Sequence, residues 1–318
     1  MCQLVAAQSE LLIVSGLGGD RGHRDMFYEW SSRMIRAATE RFGIPDTNIT
    51  YLAESPERDT ALIDGKSSKT NIEAALRRLA RKPTPDGVFI LLIGHGSYQG
   101  GESKLSLPGP DMTASDFARA IDQLAPSRVV IANVSSASGA FMATLSGPGR
   151  TVITATKSAF ERDEATFGRY FVEAYANDVA DVDKDDRVSV LEAFQYARRE
   201  VIRAYEADKQ LLTEHAQLDD NGDGKGSSEP NVNSLDGALA ASMFLIGHGN
   251  ITADAPDDPE LAALYEKQRT LQKRIADLRA LKNKTDRNVY ETELEKLLLE
   301  LARTAHAIRD RKPEHRIR

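Results

Sequence analysis

The sequence predicts a three-layer α/β domain, a mainly parallel sheet with helices on both faces, followed by a C-terminal helical hairpin or coiled coil. Three observations predict it. Between residues 11 and 158, short apolar runs alternate with amphipathic stretches, the pattern of strands and covering helices. Most of the runs are continuously apolar, as strands buried on both faces are. Beyond residue 260 the apolar residues recur only at three-four spacing.

The expected strands are Leu11–Ser15, Ile49–Ala53, Val88–Ile93, Val129–Asn133 and Thr151–Thr156. Phe27, Trp30, Met34 and Ala38 share one helical face. Thr70 and Glu73 have the spacing of a capping box ahead of Ile72, Ala75, Leu76 and Leu79. Thr113 caps a third helix carrying Phe117, Ile121 and Leu124. A fourth, near 165–177, presents Phe167, Tyr170, Phe171 and Ala174. Residues 189–211 read as a further helix, with His215 as a helix-end residue. Residues 212–240 are polar, and Ala241–Gly247 reads as a last strand returning to the sheet. This domain spans 9–250. Two prolines and four acidic residues in 251–260 mark a linker.

The hairpin, 261–312, rests on Leu264, Gln268, Leu271, Ile275 and Leu278, then Tyr290, Leu294, Leu297 and Leu301, with the polar break NKTDRN at 283–288 between them. It is either an appendage packed on its own domain or an arm that joins an oligomer or a partner. The segment LIGHG starting at Leu92 recurs at Leu245, which reads as two similar strand ends rather than a duplication.

Composition narrows the function. With 41% hydrophobic and 28% charged residues, the 318-residue chain is globular. Its net charge of −7 leaves no basic surplus for general nucleic-acid binding. The sole cysteine, Cys2, excludes an internal disulfide, a cysteine zinc cluster and a thiol nucleophile inside the domain. No apolar run approaches the roughly 20 residues of a transmembrane span. Residues 1–8 read either as a secretory-signal remnant, implying a periplasmic or secreted protein, or as the frayed terminus of a cytoplasmic one.

Two strand ends carry candidate chemistry. The strand ending at Ile93 runs into Gly94-His95-Gly96-Ser97, and the one ending at Asn133 runs into Val134-Ser135-Ser136-Ala137-Ser138-Gly139. Open α/β sheets place their sites at such C-terminal strand ends. The plainer readings are a histidine in a tight turn and a serine-rich helix cap. Gly16-Leu17-Gly18-Gly19 has Arg21 where a dinucleotide loop needs its third glycine, and the absence of GxSxG disfavours an ordinary α/β-hydrolase.

These parts, in order, resemble the legumain family of caspase-fold cysteine peptidases over about residues 11–160. Gly18, Gly19 and Arg24 follow the first strand. His95-Gly96 ends an apolar strand, and Leu107, Pro108 and Asp111 precede a helix. Ser136-Ala137-Ser138-Gly139 stands where the family shows Cys-Glu-Ser-Gly, and Val152–Thr156 follows as a strand. The resemblance implies a caspase-like fold and a peptide or protein ligand. It places His95 as the catalytic histidine, the Gly96 and Ser136 N–H groups as oxyanion donors, and Arg24 near the primary specificity pocket. Ser136 takes the nucleophile position. A thiol, with a pKa near 8.5, ionises readily beside a histidine, whereas a hydroxyl needs a tightly held, oriented base. Asp111 and Glu161 are candidates to orient that base, and Ser135 or Ser138 are alternative nucleophiles. Two readings follow: a pseudo-peptidase that binds without cutting, and a serine hydrolase on a caspase-like frame.

A third reading is a calcium-stabilised scaffold. Asp181, Asp183, Asp185, Arg187, Ser189 and Glu192 match EF-hand positions 1, 3, 5, 7, 9 and 12, with Asp186 where glycine is usual. Asp219, Asn221, Asp223 and Gly224 begin a second loop that ends on Pro230 with Glu229 one place early. Polar surface loops are the simpler alternative, and calcium is the implied cofactor of this reading.

Overall fold

The computed structural model describes residues 9–82, 87–124, 128–161, 163, 165–182, 184, 187–245, 259–280 and 286–311. The expectations for residues 1–8, most of the linker, the end of the expected last strand, Asp183, Asp185 and Asp186 lie outside these residues. The chain divides into two compact units, 1–248 and 249–318.

In the first unit a seven-stranded sheet is built from β1 (Ser9–Ser15), β2 (Ile49–Ala53), β3 (Gly65–Lys66), β4 (Gly87–Ile93), β8 (Val129–Asn133), β9 (Arg150–Thr154) and β10 (Gln217–Asp219). Their spatial order is β3-β2-β1-β4-β8-β9-β10. All neighbours are parallel except β9 and β10. A three-stranded antiparallel sheet, β5 (Gly96–Gln99), β6 (Glu102–Leu105) and β7 (Met112–Thr113), follows β4 directly.

Side chains alternate across a strand, so each central strand feeds two cores. Leu11 and Ile13 of β1, with Phe89 and Leu91 of β4, face α1 (Arg21–Arg36), α5 (Phe167–Ala176) and α6 (Val190–Ala207). Leu12 and Val14, with Ile90 and Leu92, face α2 (Lys69–Ala80), α3 (Ala114–Ile121) and α4 (Phe141–Leu145). These are the three layers. The first core holds an aromatic group in which Phe171 stacks on Phe167 and meets Tyr175 edge-on. The Tyr175 hydroxyl is buried with no hydrogen-bond partner among the described residues.

Two local expectations are corrected. The helix at 69–80 is capped by Ser68, whose hydroxyl accepts the Asn71 N–H, not by Thr70. The last sheet strand is β10, not Ala241–Gly247: residues 240–242 form a 3-10 turn, and Phe244 makes an isolated bridge to Ser189.

The second unit holds α7 (Pro259–Ala280) and α8 (Arg287–Arg311), which pack through Leu271, Ile275 and Leu297. Ion pairs join Lys267 to Glu300, Arg274 to Glu293, and Glu260 to Arg311. The partner numbers run in opposite directions, so the hairpin is antiparallel.

Candidate active site

The chain leaves β1 toward β2 on one side and later returns to lay β4 on the other, which opens a crevice at the strand ends there. Three loops meet at this edge. The Gly16 N–H donates to the Ile93 carbonyl, and the Leu17 N–H to the Ser106 carbonyl, tying the β1–α1 loop to the β4–β7 segment. The Ser103 hydroxyl donates to the Ala137 carbonyl, tying in the loop after β8.

His95 and Ser136 therefore project from neighbouring strands. His95 Nε2 lies 3.3 Å from the Gly18 carbonyl oxygen. A carbonyl only accepts, so this contact requires Nε2–H and leaves Nδ1 as the basic nitrogen of the neutral ring. The His95 ring also meets Phe27 at 5.3 Å and, edge-on, His23 at 4.5 Å. His23 Nδ1 lies 2.6 Å from Asp20, the N-cap of α1.

Ser136 is buried, and its Oγ accepts the Gly96 N–H at 3.3 Å. Gly96 has to be glycine: a Cβ there would stand 2.0 Å from the Ser136 carbonyl oxygen. The next residue, Ala137, has φ of 51°, a left-handed conformation that alanine adopts only when held. The Glu161 carbonyl holds it, accepting the Ala137 N–H at 2.8 Å. The alternative serines are engaged elsewhere. The Ser135 hydroxyl donates to Asn133 Oδ1 at 2.7 Å, and Ser138 pairs with Thr156 at 3.3 Å.

Both carboxylates considered as orienters of the base have other partners. Asp111 accepts the Leu107 N–H. Glu161 accepts the His215 N–H and lies 2.8 Å from His215 Nδ1. His215 is thus no helix-end residue, since α6 stops at Ala207. The Gly18 main-chain carbonyl, which no side-chain motif announces, is one group that meets the His95 ring.

Arg24 lines a small cavity of about 30 Å³ with Ser15, Tyr28, Tyr51, Glu54 and Arg58. Glu54 accepts the Gly18 N–H at 2.9 Å and lies 3.9 Å from Arg24. No local pattern points to Glu54, because its partners are 36 and 30 residues away.

The described calcium-loop residues have partners within the protein. Glu192 accepts the Val182 and Ser189 N–H groups and the Ser189 hydroxyl, forming a capping box. The Arg187 guanidinium lies over the Phe244 ring at 4.2 Å. Asp181 is buried. Asp219 accepts the Gly222 and Gly224 N–H groups, Asn221 the Asp223 N–H, and Asp223 the Lys225 N–H. Among the described residues no group of three or more His, Cys, Asp or Glu side chains is placed to hold a metal ion. No described helix is long and apolar enough to cross a membrane.

A mainly parallel sheet between two helical layers, with a histidine and a small-residue loop at adjacent strand ends, defines a caspase-like α/β protein. Residues 43–221, more than half of the chain, match the Peptidase C13 family, and the chain belongs to that family. Among solved structures, protein GSU0716 from Geobacter sulfurreducens is similar at 11% identity and a TM-score of 0.43, over 74% of this chain and 99% of that one. No curated protein matches the chain.

Proposed function

We propose that this Peptidase C13 member is a pseudo-peptidase: a legumain-like groove, with His95 and Ser136 at the dyad positions, that holds a peptide or protein segment without cutting it. The Gly96–Ser136 contact carries this reading. An attacking hydroxyl must pass its proton to a base and leave nearby N–H groups for the oxyanion. Here the Ser136 oxygen accepts from Gly96, the donor a ligand carbonyl would use. The Gly18 carbonyl beside His95 is neutral and stabilises an imidazolium less than a carboxylate would. A thiol ionises readily beside a histidine; a hydroxyl needs a tightly held and oriented base. In this reading Arg24, which lines the cavity beside Gly18 together with Arg58, faces the ligand.

Ser136→Cys in a Cys2→Ser background is expected to gain peptide hydrolysis that wild type lacks, and to lose it again with His95→Ala. The competing reading, a serine hydrolase, is favoured by the same adjacency of His95 and Ser136. Fluorophosphonate labelling of folded wild type at Ser136, abolished by His95→Ala, would put it in place of the pseudo-peptidase.

A further inference from the structure

β5 starts at Gly96 and is an outer strand: it pairs with β6 and with no other strand among the described residues. Gln99 faces Glu102 across the two-residue turn, so Gln99 and Ser97 direct their main-chain groups to β6. Gly96 and Tyr98 then direct theirs outward. Two bonds fit that alternation: the Ser106 N–H donates inward to the His95 carbonyl at 2.9 Å, and the Gly96 N–H donates outward to Ser136. The outer edge of β5 therefore leads from Ser136 to Tyr98, with main-chain groups of the kind an extended peptide pairs with.

At the far end of this edge two rings meet. Tyr98 and Phe160 pack edge-to-face with centroids 6.1 Å apart. Phe160 is 75% exposed, and it is the one aromatic among the large apolar side chains exposed in the described residues. It belongs to the segment whose Glu161 carbonyl holds Ala137. Leu17, also exposed, stands on the loop that carries Gly18. Two packed rings at the end of an unpaired strand edge, beside a candidate site, suit an apolar anchor of an extended peptide.

We propose that an extended peptide adds to the outer edge of β5, and that Tyr98 and Phe160 clasp a bulky apolar side chain of that peptide. At a rise of about 3.3 Å per residue, the clasped residue lies two positions, or about 7 Å, from the residue held at Ser136. This rests on the peptide-groove reading and names the chemistry of its ligand.

The test is fluorescence anisotropy of the full chain with a positional library of fluorescein-labelled alanine-based hexapeptides, each position in turn carrying Phe, Leu, Asp or Gly. One position is expected to prefer Phe or Leu over Asp or Gly by on the order of tenfold. Phe160→Ala is expected to bring the Phe peptide down to the Gly peptide, leaving the Gly peptide unchanged, while Phe160→Leu keeps most of the preference. N-methylation of the peptide amide that pairs with Tyr98 is expected to weaken binding at least as much. If peptides bind without an apolar preference, or keep it in Phe160→Ala, the clasp is refuted and the groove stands. If no peptide in the library binds wild type, the groove reading fails and the clasp with it.

Discussion

Gly96→Ala tests the contact between the two candidate loops most directly. The added methyl would stand 2.0 Å from the Ser136 carbonyl oxygen and 3.0 Å from Ser135 Oγ, and side-chain carbons essentially never come closer than 3.0 Å to another heavy atom. The loop after β8 has to withdraw by about 1 Å to restore ordinary contact. It is pinned at three points: Ala137 N–H to Glu161, Gly139 N–H to Thr156, and Ser135 to Asn133. Overpacking of this kind costs about 1–3 kcal/mol. Losing the Gly96–Ser136 hydrogen bond adds about 1 kcal/mol, so the expected destabilisation is about 2–4 kcal/mol. Gly100→Ala is the control: it has φ of +64° and nothing within 4 Å of the new methyl. It should cost about 1–2 kcal/mol from backbone conformation alone. Urea unfolding followed by circular dichroism gives both numbers, provided the m-values agree. A Gly96→Ala protein within about 0.5 kcal/mol of wild type would refute the described approach of the loops.

Tyr175→Phe removes a buried hydroxyl that has no partner among the described residues, and is expected to stabilise the chain by about 1 kcal/mol in the same assay; a loss of stability would mean the hydroxyl is bonded. Burial pushes the Glu214 carboxyl from 4.5 up to about 7, against the α5 N–H groups it accepts from. The folded chain then binds more protons than the unfolded chain between those values. Stability from this group is complete below pH 4.5 and lost as pH rises through about 7. Wild type is therefore expected to lose stability relative to Glu214→Gln across that window, by up to about 3 kcal/mol; a difference constant from pH 5 to 8 counts against it. If the 219–224 loop takes calcium, millimolar calcium raises the melting temperature of wild type but not of Asp219→Asn, and a calorimetric titration without heat removes calcium from the account.

Much of this was legible in the sequence where packing leaves one solution. Ile49–Ala53 and Val129–Asn133 are read to the residue, because a strand buried on both faces is apolar along most of its length. β10 was not legible. Its three residues lie in a polar stretch, pair with one strand, β9, and through an isolated bridge with Ser227, and end on an Asp219 that turns its side chain to loop N–H groups. The cap of α2 slipped by two residues because Ser68 and Thr70 both have side chains able to do it. At the candidate site, His95, Gly96 and Ser136 stood out as glycine-flanked or serine-rich strand ends. The Gly18 carbonyl did not, since every residue has one and only the fold decides which meets the histidine. Glu54 and His215 escaped for a related reason: their partners are distant in the chain.

The hydrogen bond from Gly96 to Ser136 also sets terms for any ligand that arrives with a carbonyl. The site carries its own tethered competitor, present at every moment and needing no diffusion to return. A guest oxygen gains the donor only by evicting the resident one, and at about 1 kcal/mol for the resident bond its affinity falls about fivefold. Sulfur is a poor acceptor, so a cysteine at 136 would leave that donor open to guests. Exchange between the two residues thus alters who occupies the N–H as well as what chemistry follows, and a change of one atom regulates admission.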